Sequence, residues 1–180
     1  MYNTPDSIEQ PKPKVSAGVM MYRVKKGVLQ IFLCHPGGPW YEKRDNGCWT
    51  IPKGEVEEGE DTLFTALREF KEETNIEPPT SNLIFLGFTV QGDGKIVWAW
   101  AGRKNAKLHE FKSNPFQMEW PADSGVIGEF PEVDDGKYFS LAQALKKCHW
   151  SQVVLIKRLA ESLGFEIPVD QNIIVQGNIS

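Results

Sequence analysis

Apolar residues along this 180-residue chain recur with two different periods. Residues 15–24 (VSAGVMMYRV) and 28–34 (VLQIFLC) are short, nearly continuous apolar runs on either side of Lys25-Lys26-Gly27. Runs of that length around a turn tripeptide predict two buried strands joined as a hairpin. Residues 83–91 (LIFLGFTVQ) and 95–101 (KIVWAWA) flank Gly92-Asp93-Gly94 and predict a second hairpin. In its second run Val97 and Ala99 alternate with Trp98 and Trp100, so one face carries indoles and the other small residues. Between the hairpins the period changes. Leu63, Ala66, Leu67 and Phe70 are spaced by three and four, which predicts an amphipathic helix. Asp61 is placed to cap its start, and Pro78-Pro79 prevents it from continuing. Two more helices are predicted at 141–147 and 151–163, with Gly164 stopping the last.

The intervening segments are less regular. Residues 35–47 (HPGGPWYEKRDNG) form a long loop dense in Gly, Pro, aromatic and charged residues, a length that in a compact domain points to function or disorder. Trp40 and Tyr41 in it suit either a base-stacking role or a lid on the core. Residues 113–128 (SNPFQMEWPADSGVIG) read as a second irregular loop, with Phe116, Met118 and Trp120 covering the core or lining a nucleoside pocket. Residues 129–139 then lead into the last two helices. The order is β-β-loop-α-β-β-loop-β-α-α. Residues 1–14, with three prolines and no periodicity, read as a tail. Residues 15–163 form one domain, and 164–180 are a C-terminal extension, read as a tail or as a strand packed on a partner, as a homodimer would have it.

Composition narrows the class only a little. Hydrophobic residues at 41% and charged residues at 24% describe an ordinary soluble globular chain. A net charge of −4 speaks against a nucleic-acid backbone as partner, but not against a polyphosphate brought with a divalent metal. The N-terminus lacks a basic and apolar leader, no apolar run is long enough for a membrane, and three cysteines suit free thiols in a reducing cytoplasm. Cys34-His35 and Cys148-His149 lack the ligand spacing of a zinc site.

The candidate chemistry lies on the first helix. At 3.6 residues per turn Glu69, Glu72 and Glu73 share an arc of roughly 100° beside the apolar stripe. Like charges at these spacings repel by a few tenths of a kcal/mol per pair. They make sense as a solvated acidic face, or as ligands for a hard cation such as Mg²⁺ or Mn²⁺. The surrounding pattern decides between the two. Gly54, Glu60, Arg68, Glu69, Glu72, Glu73 and Ile76 resemble the Nudix hydrolase signature G-x5-E-x7-R-E-U-x-E-E-x-G-U, U being bulky and apolar. Phe70 stands where an aliphatic residue is usual, and Asn75 where the family has Gly. Asn is the next best residue for the left-handed conformation that ends a helix there, so the geometry survives.

The resemblance covers roughly residues 15–163 and implies an α/β fold, the family's α/β/α sandwich around a mixed sheet. It implies Mg²⁺-dependent hydrolysis of a nucleoside diphosphate linked to another moiety. Glu69, Glu72 and Glu73 with the Gly54 carbonyl match the metal-binding positions. Glu69 is the box residue suited to orient or deprotonate water. Glu60 and Arg68 match a structural pair. Lys53 resembles a basic residue that precedes the box and meets a substrate phosphate. A further acidic ligand is expected just before the last strand, where Glu132 fits best and Glu129 next. The run WTIPKG-x-VE-x-GED is similar to diadenosine tetraphosphate hydrolases, and HPGGPWY and F-x-M-E-W-P to bacterial predicted NTP pyrophosphohydrolases. Both are consistent with a nucleoside polyphosphate substrate, for which Lys53 (or else a plain solvent-exposed lysine), Trp40, Tyr41, Phe116 and Trp120 are the candidate binding residues. ADP-ribose, a nucleotide sugar, an oxidised nucleotide, or a sensor without turnover are the alternatives.

Overall fold

A computed structural model describes residues 13–168. The expectations for residues 1–12 and 169–180, which carry most of the tail and of the C-terminal extension, lie outside the described residues. The chain runs β1 (Val15–Lys25), β2 (Val28–Pro36), β3 (Lys53–Glu55), α1 (Thr62–Thr74), β4 (Ile84–Val90), β5 (Ile96–Arg103), β6 (Pro115–Glu119), β7 (Ile127–Pro131), β8 (Val133–Ser140), α2 (Leu141–Lys147) and α3 (Val153–Ser162). One sheet has the order β4-β5-β1-β2-β8, with β3 added against β1. It is mixed, because β1 and β5 run parallel while the other pairs are antiparallel.

The near-continuous apolar character of β1 follows from its position, since helices cover both of its faces. Ala17, Val19 and Met21 face α1, where they meet Phe32, Ala66 and Phe70. Met20 and Tyr22 face the other layer, with Leu155, Ile156 and Leu159 of α3. An α/β/α sandwich results. On β5 the small Ala99 and Ala101 lie under the α3 layer, while Trp98 and Trp100 pack against the α1-side cluster. Phe165 and Ile167 also pack on the α3-side cluster, so the described start of the C-terminal extension is part of the fold.

Helix α1 starts and stops as its sequence dictates. The Asp61 carboxylate accepts from the N–H groups of Leu63 and Phe64, both at 3.0 Å. Asn75 takes φ 56°, ψ 10°, and its N–H donates to the Lys71 carbonyl. Asn75→Gly should therefore leave the denaturant midpoint nearly unchanged, while Asn75→Val should cost about 1 kcal/mol or more, because a branched Cβ is strained in that conformation. Equal midpoints for the two variants would contradict this reading of the helix end.

Two segments depart from expectation. The region 113–128, expected to be irregular, contains β6 and pairs it with β7 as a separate two-stranded sheet. Phe116 and Met118 alternate with polar residues as a strand requires, but Pro115 and Pro121 mask that short period. The run 129–139 is not one strand. It divides into β7 and β8 at Glu132.

Candidate active site

Strand β3 brings the start of the glycine loop against α1. Gly54 pairs with Ala17 of β1, and its Cα lies directly under the Glu69 carboxylate. A Cβ built on Gly54 would sit 1.9 Å from Glu69 Cδ and 2.0 Å from Oε2, so any larger residue would drive the Glu69 carboxylate from this place. One residue earlier the Lys53 N–H donates to Glu73 Oε2 at 2.9 Å. Loop and helix are thus joined through the very carboxylates that the helix places on one arc.

Arg68 occupies the centre of the acidic group. Its Nε and Nη2 donate to the two Glu60 oxygens, each at 3.0 Å, a bidentate fork. Those bonds hold the Glu60 carboxyl down at about 2. Its Nη1 reaches Glu69 Oε1 at 2.7 Å and Glu72 Oε2 at 3.0 Å. The fork ties Glu60 of the loop to Arg68 of the helix.

Three other carboxyls are pushed the other way. Glu73 keeps some solvent contact as a residue, but its carboxyl is enclosed by protein, and the enclosure governs its titration. Burial raises it from near 4.5 to about 7, Lys53 opposing and Glu69 and Glu132 adding to the rise. Glu69 is raised by burial, against Arg68 and with help from Glu72 and Glu132. Glu132, at the β7–β8 junction, is raised by burial and by Glu72. These shifts put Glu132 within the electrostatic reach of the helix carboxylates. Glu129 lies on β7, paired with Gln117 of β6.

The donor set fits a hard divalent cation: carboxylate oxygens that repel one another, and a glycine that leaves room for one of them. Among the described residues no three Asp, Glu, His or Cys groups are already converged at metal-ligating distance. In this arrangement Arg68 Nη1 stands between Glu69 and Glu72.

Glu73 makes a pH prediction. Its folded pKa lies above its unfolded one, so between about pH 4.5 and 7 the folded state holds more protons. Stability contributed by the protonated form is lost as pH rises across that window. In chelator, the melting temperature should fall from pH 5 to 7, and the fall should be shallower in Glu73→Gln. Parallel curves for the two proteins would count against the enclosed carboxyl.

A cavity of about 650 Å³ opens beside these groups. Lys53, Glu73 and Glu132 line it together with Tyr41, Arg44, His149, Trp150 and residues 91–93. Of the aromatic residues expected to bind substrate, Tyr41 reaches this wall. Trp40, Phe116 and Trp120 do not line it. Trp40 packs edge-on against Trp120 at 4.9 Å, and Phe116 packs on Phe130 at 6.2 Å and over Gly38. They tie the β6–β7 hairpin to the 37–47 loop. Arg44, His149 and Trp150 were not singled out as substrate-facing from the sequence. No local pattern in the sequence marks them, and it is the structure that leaves the Trp150 indole 65% exposed at the cavity.

Residues 12–159 match the model of the NUDIX domain. The chain belongs to the Nudix family. Among its Nudix relatives, the RNA pyrophosphohydrolase of Roseobacter denitrificans (strain ATCC 33942 / OCh 114) is 32% identical over 150 residues, 79% of this chain and 86% of that enzyme. The asymmetrical bis(5'-nucleosyl)-tetraphosphatase of Caenorhabditis elegans is 39% identical over 61 residues, 34% of this chain. That match spans only 40% of the C. elegans protein. The solved binary complex of a C. elegans Ap4A hydrolase superposes with a TM-score of 0.58 at 22% identity, over 84% of this chain and 98% of that one, a likeness of fold. No helix among the described residues is long and apolar enough to cross a membrane.

Proposed function

We propose that this Nudix protein is a pyrophosphohydrolase acting on a nucleoside polyphosphate, a dinucleoside polyphosphate or a nucleoside triphosphate, with Mg²⁺ (or Mn²⁺ in its place). The observation that carries the reading is that Lys53, Glu73 and Glu132 line the cavity with Glu69 close behind, the Lys53 N–H bonded to Glu73 and all three carboxyls raised by burial, Glu132 adding to the rise of both Glu69 and Glu73. Glu69, Glu73, Glu132 and the Gly54 carbonyl, with Glu72 once it leaves Arg68, would hold the cation. When bound, a divalent cation supplies neutralisation of pyrophosphate charge and a more acidic water. The chain's own residues do the rest. Lys53 holds a phosphate oxygen as a point charge, and Glu69, fixed between Gly54 and Arg68, orients water and accepts its proton. Arg44 adds a second positive group to the wall, burial and the Lys53 charge hold the His149 imidazole below its ordinary value as a neutral hydrogen-bonding ring, and Tyr41 and Trp150 offer stacking faces to a base. A volume of about 650 Å³ lies within the range of small-molecule sites.

The test is a substrate panel with Mg²⁺ and product identification. It comprises dinucleoside polyphosphates, nucleoside triphosphates, ADP-ribose, nucleotide sugars and an RNA bearing a 5′-triphosphate. The best turnover is expected on a dinucleoside polyphosphate or a triphosphate, releasing a nucleotide. Preference for ADP-ribose or the RNA end would replace the substrate and keep the chemistry. Tight binding with no turnover anywhere would identify a sensor.

A further inference from the structure

We propose that His35 is a positioning residue whose doubly protonated ring latches the loop carrying Tyr41 and Arg44, so that substrate affinity follows the presence of that proton. The kinetic part of this rests on the nucleotide reading of the cavity; the latch itself does not.

His35 ends the buried part of β2 opposite an irregularity in β8. His35 pairs with Asp135 and Pro36 with Val133, which leaves Asp134 as the extra residue of a bulge. Asp134 Oδ1 lies 2.7 Å from His35 Nδ1, and the Arg44 carbonyl oxygen lies 2.8 Å from Nε2. His35 is only 7% exposed, so water has little room to substitute for either partner. A carbonyl can only accept a hydrogen bond, and so can an ionised carboxylate. With Asp134 ionised, satisfying both partners at once takes a proton on each ring nitrogen, the imidazolium form on which the proposal rests.

The consequences of losing one proton are asymmetric. The proton that remains stays on Nδ1, facing the carboxylate. Nε2 then turns a lone pair toward the Arg44 oxygen, and that contact becomes repulsive. Arg44 does not move alone, because its N–H donates to the Tyr41 carbonyl at 2.8 Å, closing one turn. Tyr41 and Arg44 both line the cavity. The departing proton goes to solvent, and no bond other than the hydrogen bond breaks.

The other charges around the ring are already engaged. From β8, Asp135 pairs with Lys137; from α2, Lys147 pairs with Asp45 of the loop. Asp45 also accepts from Trp49 Nε1 at 2.9 Å, and the Trp49 ring lies 5.1 Å from that of His35. Glu42 lines the same recess. Asp134 is thus the carboxylate bonded to the imidazole, and the Arg44 carbonyl the bond that depends on the second proton.

The experiment follows the wild-type protein, metal-free, by ¹⁵N spectroscopy of its histidine rings and of the Tyr41 and Arg44 amides across the range in which histidines titrate, about pH 5 to 8. Both His35 nitrogens should be protonated at the low end. Nε2 should lose its proton first, and the two amides should shift with the same midpoint. A ring that is neutral throughout, or one that titrates while the amides stay still, overturns the latch. With a substrate that turns over, His35→Gln should raise KM about 10-fold, leave kcat within about twofold and abolish the rise of KM with pH. Asp134→Asn keeps an acceptor for Nδ1 but removes the charge, and should move the KM midpoint to lower pH. An unchanged KM in folded His35→Gln would also overturn the proposal. If that variant does not fold, the spectra of the wild type decide; if no substrate turns over, the hydrolase reading fails while the spectra still test the latch.

Discussion

Replacing Glu73 by glutamine should lower kcat on the best substrate by roughly 100-fold or more, about 3 kcal/mol of transition-state stabilisation. Glutamine keeps the length and helix propensity and can still accept from the Lys53 N–H. What it lacks is the charge that this enclosed position forces toward neutrality and that a cation would restore. The half-saturating Mg²⁺ concentration should rise with the loss of one charged ligand. Glu57→Gln is the control, an acid of the same loop at no signature position, and should match the wild type. Glu72 sharpens the comparison, since it is exposed and accepts a hydrogen bond from Arg68. If Glu72 swings onto the cation, Glu72→Gln will follow Glu73→Gln in its Mg²⁺ dependence. If it only braces Arg68, it will resemble the control. Wild-type kcat in Glu73→Gln would remove the carboxylates from the chemistry.

Gly54→Ala should be nearly as damaging, for a steric reason. The added methyl would lie 1.9 to 2.2 Å from three atoms of the Glu69 carboxyl group, far inside van der Waals contact. Either Glu69 leaves its place beside Arg68 or β3 retreats from α1, and both displace the residue proposed to orient water. A displacement of about 1 Å can cost on the order of 100-fold in rate, and kcat measured at saturating Mg²⁺ should fall by that much. Gly59→Ala separates this from a general loss of loop stability. Gly59 has φ 82° and open space around it, so alanine there strains the backbone without touching a carboxylate. It should cost about 1 kcal/mol in stability and little in rate. Equal rates for the two variants would mean that Glu69 does not depend on the cradle.

The signature residues were legible because their roles are local. Asp61, Glu60, Arg68 and the three helix carboxylates lie within fourteen residues of one another, and helical spacing alone puts Glu69, Glu72 and Glu73 together. The buried strands were legible too, since β1 and β2 are apolar almost throughout and their turn is marked by Lys26-Gly27. The β6–β7 hairpin was not. Its residues alternate between partial and full exposure, so no continuous apolar run betrays it, and its prolines read as loop. Trp40, Phe116 and Trp120 were assigned to substrate for the same reason: a sequence displays an aromatic residue without showing which other aromatic residue it packs against.

What this sequence determined by itself is the family chemistry: a loop-helix unit whose carboxylates, glycine and arginine sit at fixed offsets, with αL-tolerant Asn75 at its end. Those features need only the geometry of one helix and the loop before it. The tertiary structure decided everything that depends on residues far apart in the chain. Glu132 comes to within electrostatic reach of Glu69 because β8 pairs with β2, and His35 finds Asp134 only through that pairing and its bulge, while the loop after β2 folds the Arg44 carbonyl back onto the same ring. The cavity wall of Tyr41, Arg44, His149 and Trp150 comes from segments about a hundred residues apart. No local period encodes such contacts, because they are selected by how the sheet packs between its two helical layers and not by the conformation of any one segment.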